Sequence, residues 1–141
     1  MRELSQLIIY LDSNVLFSAT YIATSPFLNL WRLAGVRPVT SLYAVDEVRR
    51  HIVQPAQQLR FDELLNRTGL VSDVDVRLIP SNVKLVSKDE PILTAAIAAS
   101  VDYLVTGDKT HFAHLYGTRV SHVAVINPAD FLFQYEARLL E

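Results

Sequence analysis

The first clear pattern is Leu7-Ile8-Ile9-Tyr10-Leu11, five apolar residues without polar alternation. That pattern predicts a short central parallel strand covered on both faces. Ser25-Pro26 reads as cap and first helical residue and Gly35 as the stop, which predicts a helix over 26–34. Val36 to Thr40 is a second strand, with Pro38 marking an edge or strand-start position. Ser41 caps a helix running to about Ile52, and Pro55 opens another that ends near Thr68-Gly69. Val74, Val76 and Leu78 alternate with Asp73, Asp75 and Arg77, so 70–86 reads as extended.

Ser87-Lys88-Asp89-Glu90 matches a capping box and opens an Ala-rich helix to about Ser100. Tyr103 to Thr106 is a third strand, ended by Gly107. A short helix or turn covers 109–115, and Val120 to Ile126 is a fourth strand. Asn127-Pro128 starts a last helix with Phe131, Leu132, Tyr135 and Leu139 on one face. Strands alternating with helices imply an α/β fold, a parallel sheet with helices on both sides. There is no internal repeat, low-complexity segment or linker.

The chain has 141 residues, which suits a single domain over 1–141. Half the residues are apolar and 20% are charged, a composition that excludes disorder. No apolar run approaches the ~18–20 residues of a membrane span. With no cysteine there is no disulfide frame, thiol nucleophile or cysteine-ligated zinc. Met1-Arg2-Glu3 leads into a strand with no small-residue cleavage site, so a cytoplasmic protein is expected. The net charge of −2 rules out a polybasic footprint for generic nucleic-acid coating. The charge is uneven, however. Residues 30–67 carry six Arg against four acids, whereas 68–141 carry six cations against nine acids. A mild basic lobe beside an acidic one can admit a phosphodiester to a metal-bearing cleft; a solvated helix face has the same composition.

Open parallel sheets bind ligands beyond the carboxyl ends of their strands. Asp12 follows the first strand directly and Asp108 follows Thr106-Gly107. Asp89 lies in the first turn of the Ala-rich helix, and Asp46-Glu47 lie in the second turn of the helix after strand two. Four carboxylates can therefore converge on one rim. Two charges ~4 Å apart repel by about 1 kcal/mol in water and by about 4 kcal/mol at an effective dielectric of 20. A hard divalent cation relieves this, and carboxylate and water oxygens suit Mg²⁺ or Mn²⁺. Such an ion can activate water for in-line attack on phosphate. Each acid also has a plain structural reading: Asp12 and Asp108 as helix caps, Asp89 at a helix dipole, Glu47 paired with Arg50. Asp102, at the opposite end of its strand, reads as structural. His111 and His114 stand three apart without an obvious third ligand, so zinc is not favoured. Ser13 and Ser18 lack a histidine in pattern for a hydrolytic triad, and no Gly-rich phosphate loop is present.

These strings together resemble the PIN domain, the metal-dependent ribonuclease fold of many VapC-type toxins. Ile9-Tyr10-Leu11-Asp12-Ser13-Asn14-Val15-Leu16 is similar to the family's first motif, and Thr40-Ser41 with Glu47 six residues on to the second. Ser87-Lys88-Asp89-Glu90-Pro91-Ile92-Leu93 is similar to the third, and Asp102-Tyr103-Leu104-Val105-Thr106-Gly107-Asp108-Lys109 to the fourth. Ile126-Asn127-Pro128-Ala129-Asp130-Phe131 fits the last strand and helix. The resemblance spans roughly residues 7–133. It implies a three-layer α/β/α sandwich with a central, mainly parallel sheet, and Asp12, Glu47, Asp89 and Asp108 as metal-binding acids. It implies Asn14 and Thr106 as polar groups steadying Asp12. Spacing from Ser41 favours Glu47 over Asp46, while the stripe Val45, Val48 and Ile52 selects neither. Some members carry a further acid after the fourth; Thr110 and His111 stand there in this chain, which leaves one metal or two open. The resemblance also implies a homodimer and, for toxins, a cognate antitoxin.

The function expected is a Mg²⁺- or Mn²⁺-dependent endoribonuclease hydrolysing RNA, with Arg49, Arg50 or Lys109 positioning the backbone. The rival reading is a non-catalytic PIN scaffold that binds RNA or protein without metal. A phosphatase with an aspartyl nucleophile would want a second Asp where Asn14 stands. A DNA flap nuclease would need more elements than 141 residues allow.

Overall fold

The computed structural model describes residues 6–75 and 77–140. Met1-Arg2-Glu3 and Val76, which the sequence reading used, lie outside the described residues. Chain order is β1 (Leu7–Leu11), α1 (Ser13–Tyr21), a 3-10 segment (Pro26–Trp31), β2 (Val36–Ser41), α2 (Leu42–His51), α3 (Pro55–Leu65) and β3 (Gly69–Val71). A 3-10 turn (Ser87–Asp89), α4 (Glu90–Ala98), β4 (Tyr103–Val105), a 3-10 turn (Ala113–Leu115), β5 (Arg119–Val120), β6 (Val123–Ile126) and α5 (Pro128–Gln134) follow. A last 3-10 turn covers Glu136–Arg138.

The six strands form one sheet in the order β3-β2-β1-β4-β6-β5, parallel except for the β5–β6 pair. With its flanking helices it is an α/β sandwich around a central, mainly parallel sheet, as the resemblance implies. From β1 the chain winds outward through β2 to β3, then crosses back to β4 on the other side of β1. Because crossovers are right-handed, winding in opposite directions sends the connecting helices to opposite faces. The order therefore reverses between β1 and β4, and a crevice opens at their carboxyl ends.

Ile9, Tyr10 and Leu11 are fully buried, which is why β1 shows no polar alternation. In α4, Ile92 to Ala96 are all buried, the alanines letting the helix sit close to its neighbours. Among the described residues no helix is long and apolar enough to cross a membrane.

Several expected boundaries shift for local reasons. Ser25 caps as expected, accepting from Phe27 N at 3.3 Å, but the segment it opens is 3-10 and ends at Trp31. Pro38 lies in an interior strand; β3 begins pairing only at Val39, so this proline sits where β2 has an open side. Among the described residues of the extended stretch 70–86, only Leu70 and Val71 lie in a strand. Ser87 makes no capping hydrogen bond, so the capping box is not formed, and Asp89 itself precedes α4. The fourth strand is really a hairpin: Ser121 adopts φ +55° and the chain folds back between β5 and β6. Neither Gly nor Asn marks that turn, so sequence pattern alone had no signal for it. Helix α5 stops at Gln134, and Leu139 leaves its face to form a bridge with Leu33.

Candidate metal centre

Asp12 stands where β1 becomes α1. Its backbone N donates to Val105 O at 3.0 Å, which ties the ends of β1 and β4 together. Its side chain caps α1, Oδ1 accepting from Ser13 N at 2.7 Å. The other oxygen, Oδ2, accepts from Thr106 Oγ1 at 2.8 Å and from Asn14 Nδ2 at 3.2 Å. Asn14 in turn accepts from Gly107 N at 2.7 Å. A Cβ at position 107 would stand 3.2 Å from Asn14 Oδ1, so glycine permits this close approach. Capping thus explains one oxygen of Asp12 but not the effort spent orienting the second.

Asp12 is 3% exposed. Burial is the main reason its carboxyl is pushed up to about 6; hydrogen bonds from Thr106 and Ser13 pull it down, and Asp89 and Glu47 push it up. Glu47 reaches the same place from α2, where Ser13 Oγ donates a short hydrogen bond to its Oε1. With α1 packed on α2, Glu47, which spacing favours and the apolar stripe does not select, lines the cavity and Asp46 is exposed.

Asp89 ends the 3-10 turn before α4 and is 7% exposed. Burial raises its carboxyl above the usual range, with His111 and Lys88 pulling the other way and Asp108 and Glu47 adding to the rise. Asp108 divides its labour. Oδ1 accepts from Thr110 N and His111 N, both at 3.0 Å, and so shapes the turn after β4. His111 Nδ1 stands 2.8 Å from Asp89 Oδ2 and 2.9 Å from Asp108 Oδ2. Neither approach has hydrogen-bond geometry, and Asp89 Oδ2 and His111 Nδ1 are buried without a hydrogen-bond partner. Asp89, Asp108 and His111 each offer a ligand atom, all within 4.8 Å of one another. Orphaned buried polar atoms beside clustered carboxylates are the setting a divalent cation satisfies. The residues present fit such an ion.

The cavity measures about 470 Å³, and its lining includes Asp12, Asn14, Glu47, Lys88, Asp89 and Asp108. All four acids of the sequence reading meet there. Thr106 lies fully buried behind Asp12. The three cations expected at the substrate are not in the lining. Arg49 turns to α3, pairing with Asp62 at 2.9 Å and lying over the Phe61 ring; Arg50 and Lys109 are exposed. Lys88 and His51 occupy the rim instead. His114 faces away, 2.8 Å from Lys84 O. His111 stands where some family members carry a further acid, and the sequence alone does not show it beside Asp89. The signal was its position three residues after Asp108, which returns it to the carboxylate across one turn. Asp102 is structural, as expected, accepting from Ile8 N at 2.8 Å at the far end of the sheet.

A chain in the crystal structure of VapBC2 from Rickettsia felis bound to a DNA fragment from their promoter has a similar fold. The TM-score is 0.61 at 17% identity, over 86% of this chain and 98% of that one. No curated protein matches the chain. The family model described as PIN domain matches residues 9–110, from β1 past Asp108, taking in all four cavity acids. The chain belongs to the PIN-domain family.

Proposed function

We propose that this chain is a single-domain, divalent-metal-dependent endoribonuclease that hydrolyses RNA phosphodiester bonds, acting in the cytoplasm as the toxin of a toxin–antitoxin pair. The observation that carries the reading is the convergence of Asp12, Glu47, Asp89 and Asp108 on one cavity, with Asp89 Oδ2 buried and without a hydrogen-bond partner. The likeness to VapBC2 supports an antitoxin partner. A homodimer accords with the family resemblance.

Asp12, Glu47, Asp89 and Asp108 would hold Mg²⁺ or Mn²⁺. When bound there, such an ion supplies positive charge to a phosphodiester and acidifies water. The chain's own groups do the positioning. Thr106 and Asn14 hold Asp12 from behind, and Ser13 links Asp12 to Glu47. Lys88 at the rim meets a phosphate as a point charge. Carboxylates paired in this way keep their orientation without rotamer searching, which is the positional part of catalysis.

The test is a labelled RNA pool incubated with purified protein plus Mn²⁺ or plus chelator, beside Asp108→Asn. Cleavage only by the unsubstituted protein with Mn²⁺ is expected. RNA bound but never cut would sink the nuclease reading in favour of a PIN scaffold.

A further inference from the structure

We infer that His111 is itself a metal ligand, through Nδ1, and that this nitrogen tilts the centre toward Mn²⁺ over Mg²⁺. The inference rests on reading the cavity as a metal centre and adds a ligand where the family resemblance supplies none.

Three observations carry it. First, His111 is held in place by its own neighbour: Asp108 Oδ1 accepts from His111 N at 3.0 Å, while Asp108 Oδ2 stays on the imidazole side. Second, Nδ1 approaches two carboxylate oxygens at 2.8 and 2.9 Å without hydrogen-bonding to either. Lone pairs that converge on a shared ion do not aim at one another, so neighbouring ligands meet off-axis in this way. An octahedral ion with bonds of about 2.1 Å places adjacent ligand atoms about 3.0 Å apart, close to these separations. Third, the buried side-chain orphans among the described residues are one oxygen and one nitrogen, Asp89 Oδ2 and His111 Nδ1. One cation satisfies both. A proton on Nδ1 makes an ion pair with these carboxylates but hydrogen-bonds to neither in this geometry.

The preference follows from donor chemistry. Carboxylates and water suit Mg²⁺ and Mn²⁺ alike, whereas imidazole suits transition metals and is a poor ligand for Mg²⁺. Replacing an oxygen donor by Nδ1 therefore weakens Mg²⁺ relative to Mn²⁺.

The experiment loads the full-length protein with Mn²⁺ or Mg²⁺ alone. Calorimetric titration measures affinity, and pulsed electron paramagnetic resonance of the Mn²⁺ form detects a directly bonded nitrogen. The wild-type protein is expected to show that nitrogen coupling. His111→Asn should lose it and bind Mn²⁺ at least about tenfold more weakly, since loss of even an outer-sphere partner costs about that much. Mg²⁺ affinity should change less than Mn²⁺ affinity. His51→Gln controls for the other histidine at the rim and should keep the coupling. His111→Asp, which supplies an oxygen donor, should bind Mg²⁺ more tightly than the wild-type protein and show no nitrogen coupling. Tight Mn²⁺ binding by wild type with no nitrogen coupling overturns the inference and leaves the metal centre standing. Failure of wild type to bind either ion overturns both. The wild-type spectrum decides even if a variant does not fold.

Discussion

Thr106 Oγ1 donates to Asp12 Oδ2 at 2.8 Å, so a side chain at the end of β4 aims the carboxylate at the end of β1. The same oxygen accepts from Asp108 N at 3.2 Å, which links two of the four acids through one hydroxyl. Thr106→Val keeps the shape and removes the hydroxyl. It should destabilise the protein by about 1–2 kcal/mol, because buried partners lose their hydrogen bonds. Mn²⁺ affinity should fall by about 10-fold or more, as for loss of an outer-sphere partner. Asp12 should hold its proton more tightly, since that bond favours the charged form, so Mn²⁺ binding should need a higher pH. An unchanged pH profile in calorimetric titration would dismiss this role.

Asp12 is costly to keep charged. Its carboxyl is raised from an ordinary 3.8 to about 6 in the fold, chiefly by burial. A group that binds its proton more tightly when folded contributes most stability below the lower value and loses that contribution as pH rises through the higher one. In chelator, stability should therefore decline between pH 4 and 6. Asp12→Asn removes the charge and should stabilise the metal-free protein at pH 7 by about 1–2 kcal/mol, less than the full ~1.4 kcal/mol per pKa unit. The discount reflects its new amide facing the amide of Asn14. Cleavage should be abolished. A lower melting temperature for Asp12→Asn at pH 7 in chelator would contradict the account.

Cation binding should raise stability, because a ligand that binds only the folded state must do so. At 100 times its dissociation constant, Mn²⁺ should add about 2.7 kcal/mol, or about 5–10 °C in melting temperature for a domain of this size. The shift should vanish in Asp89→Asn or Asp108→Asn. No shift for the wild-type protein at millimolar Mn²⁺ would favour a scaffold that needs no metal.

The cations divide by where they point. Lys88→Ala should weaken RNA binding and flatten its salt dependence, because a rim charge acts on the phosphate backbone. Arg49→Ala should leave RNA binding alone and cost about 0.5–1 kcal/mol of stability through the lost Asp62 pair and the Phe61 contact. The reverse ranking in filter-binding titrations would mean that Arg49 leaves Asp62 for the substrate.

Glycine 107 is required by proximity to Asn14. In Gly107→Ala the new methyl should push Asn14 aside and loosen the Gly107 N–H to Asn14 bond. Activity with Mn²⁺ should fall by about 10-fold with under about 1.5 kcal/mol lost in stability. Full activity would show that Asn14 can move without consequence.

The alternation of strands and helices was legible because Ile9 to Leu11 of β1 and Ile92 to Ala96 of α4 are buried and the composition of these runs shows it. So were the positions of Asp12 and Asp108, since a carboxylate just past an apolar run sits at a strand's end whatever the details. The hairpin at Ser121 was not legible, because its turn uses a strained serine where pattern reading looks for Gly or Asn. The choice of Glu47 over Asp46 was decided by α1 packing on α2, which brings Ser13 to one carboxylate and leaves the other in solvent. The pairing of Arg49 with Asp62 and its place over the Phe61 ring depend on α3, which spacing along α2 does not reveal. His111 needed the crossing from β3 to β4, which sets Asp89 against the turn that Asp108 builds. Local chemistry along the chain determines which residues can bear charge and where elements begin. Which of those charges meet is decided by the reversal of strand order between β1 and β4, a property of contacts between segments far apart in the chain.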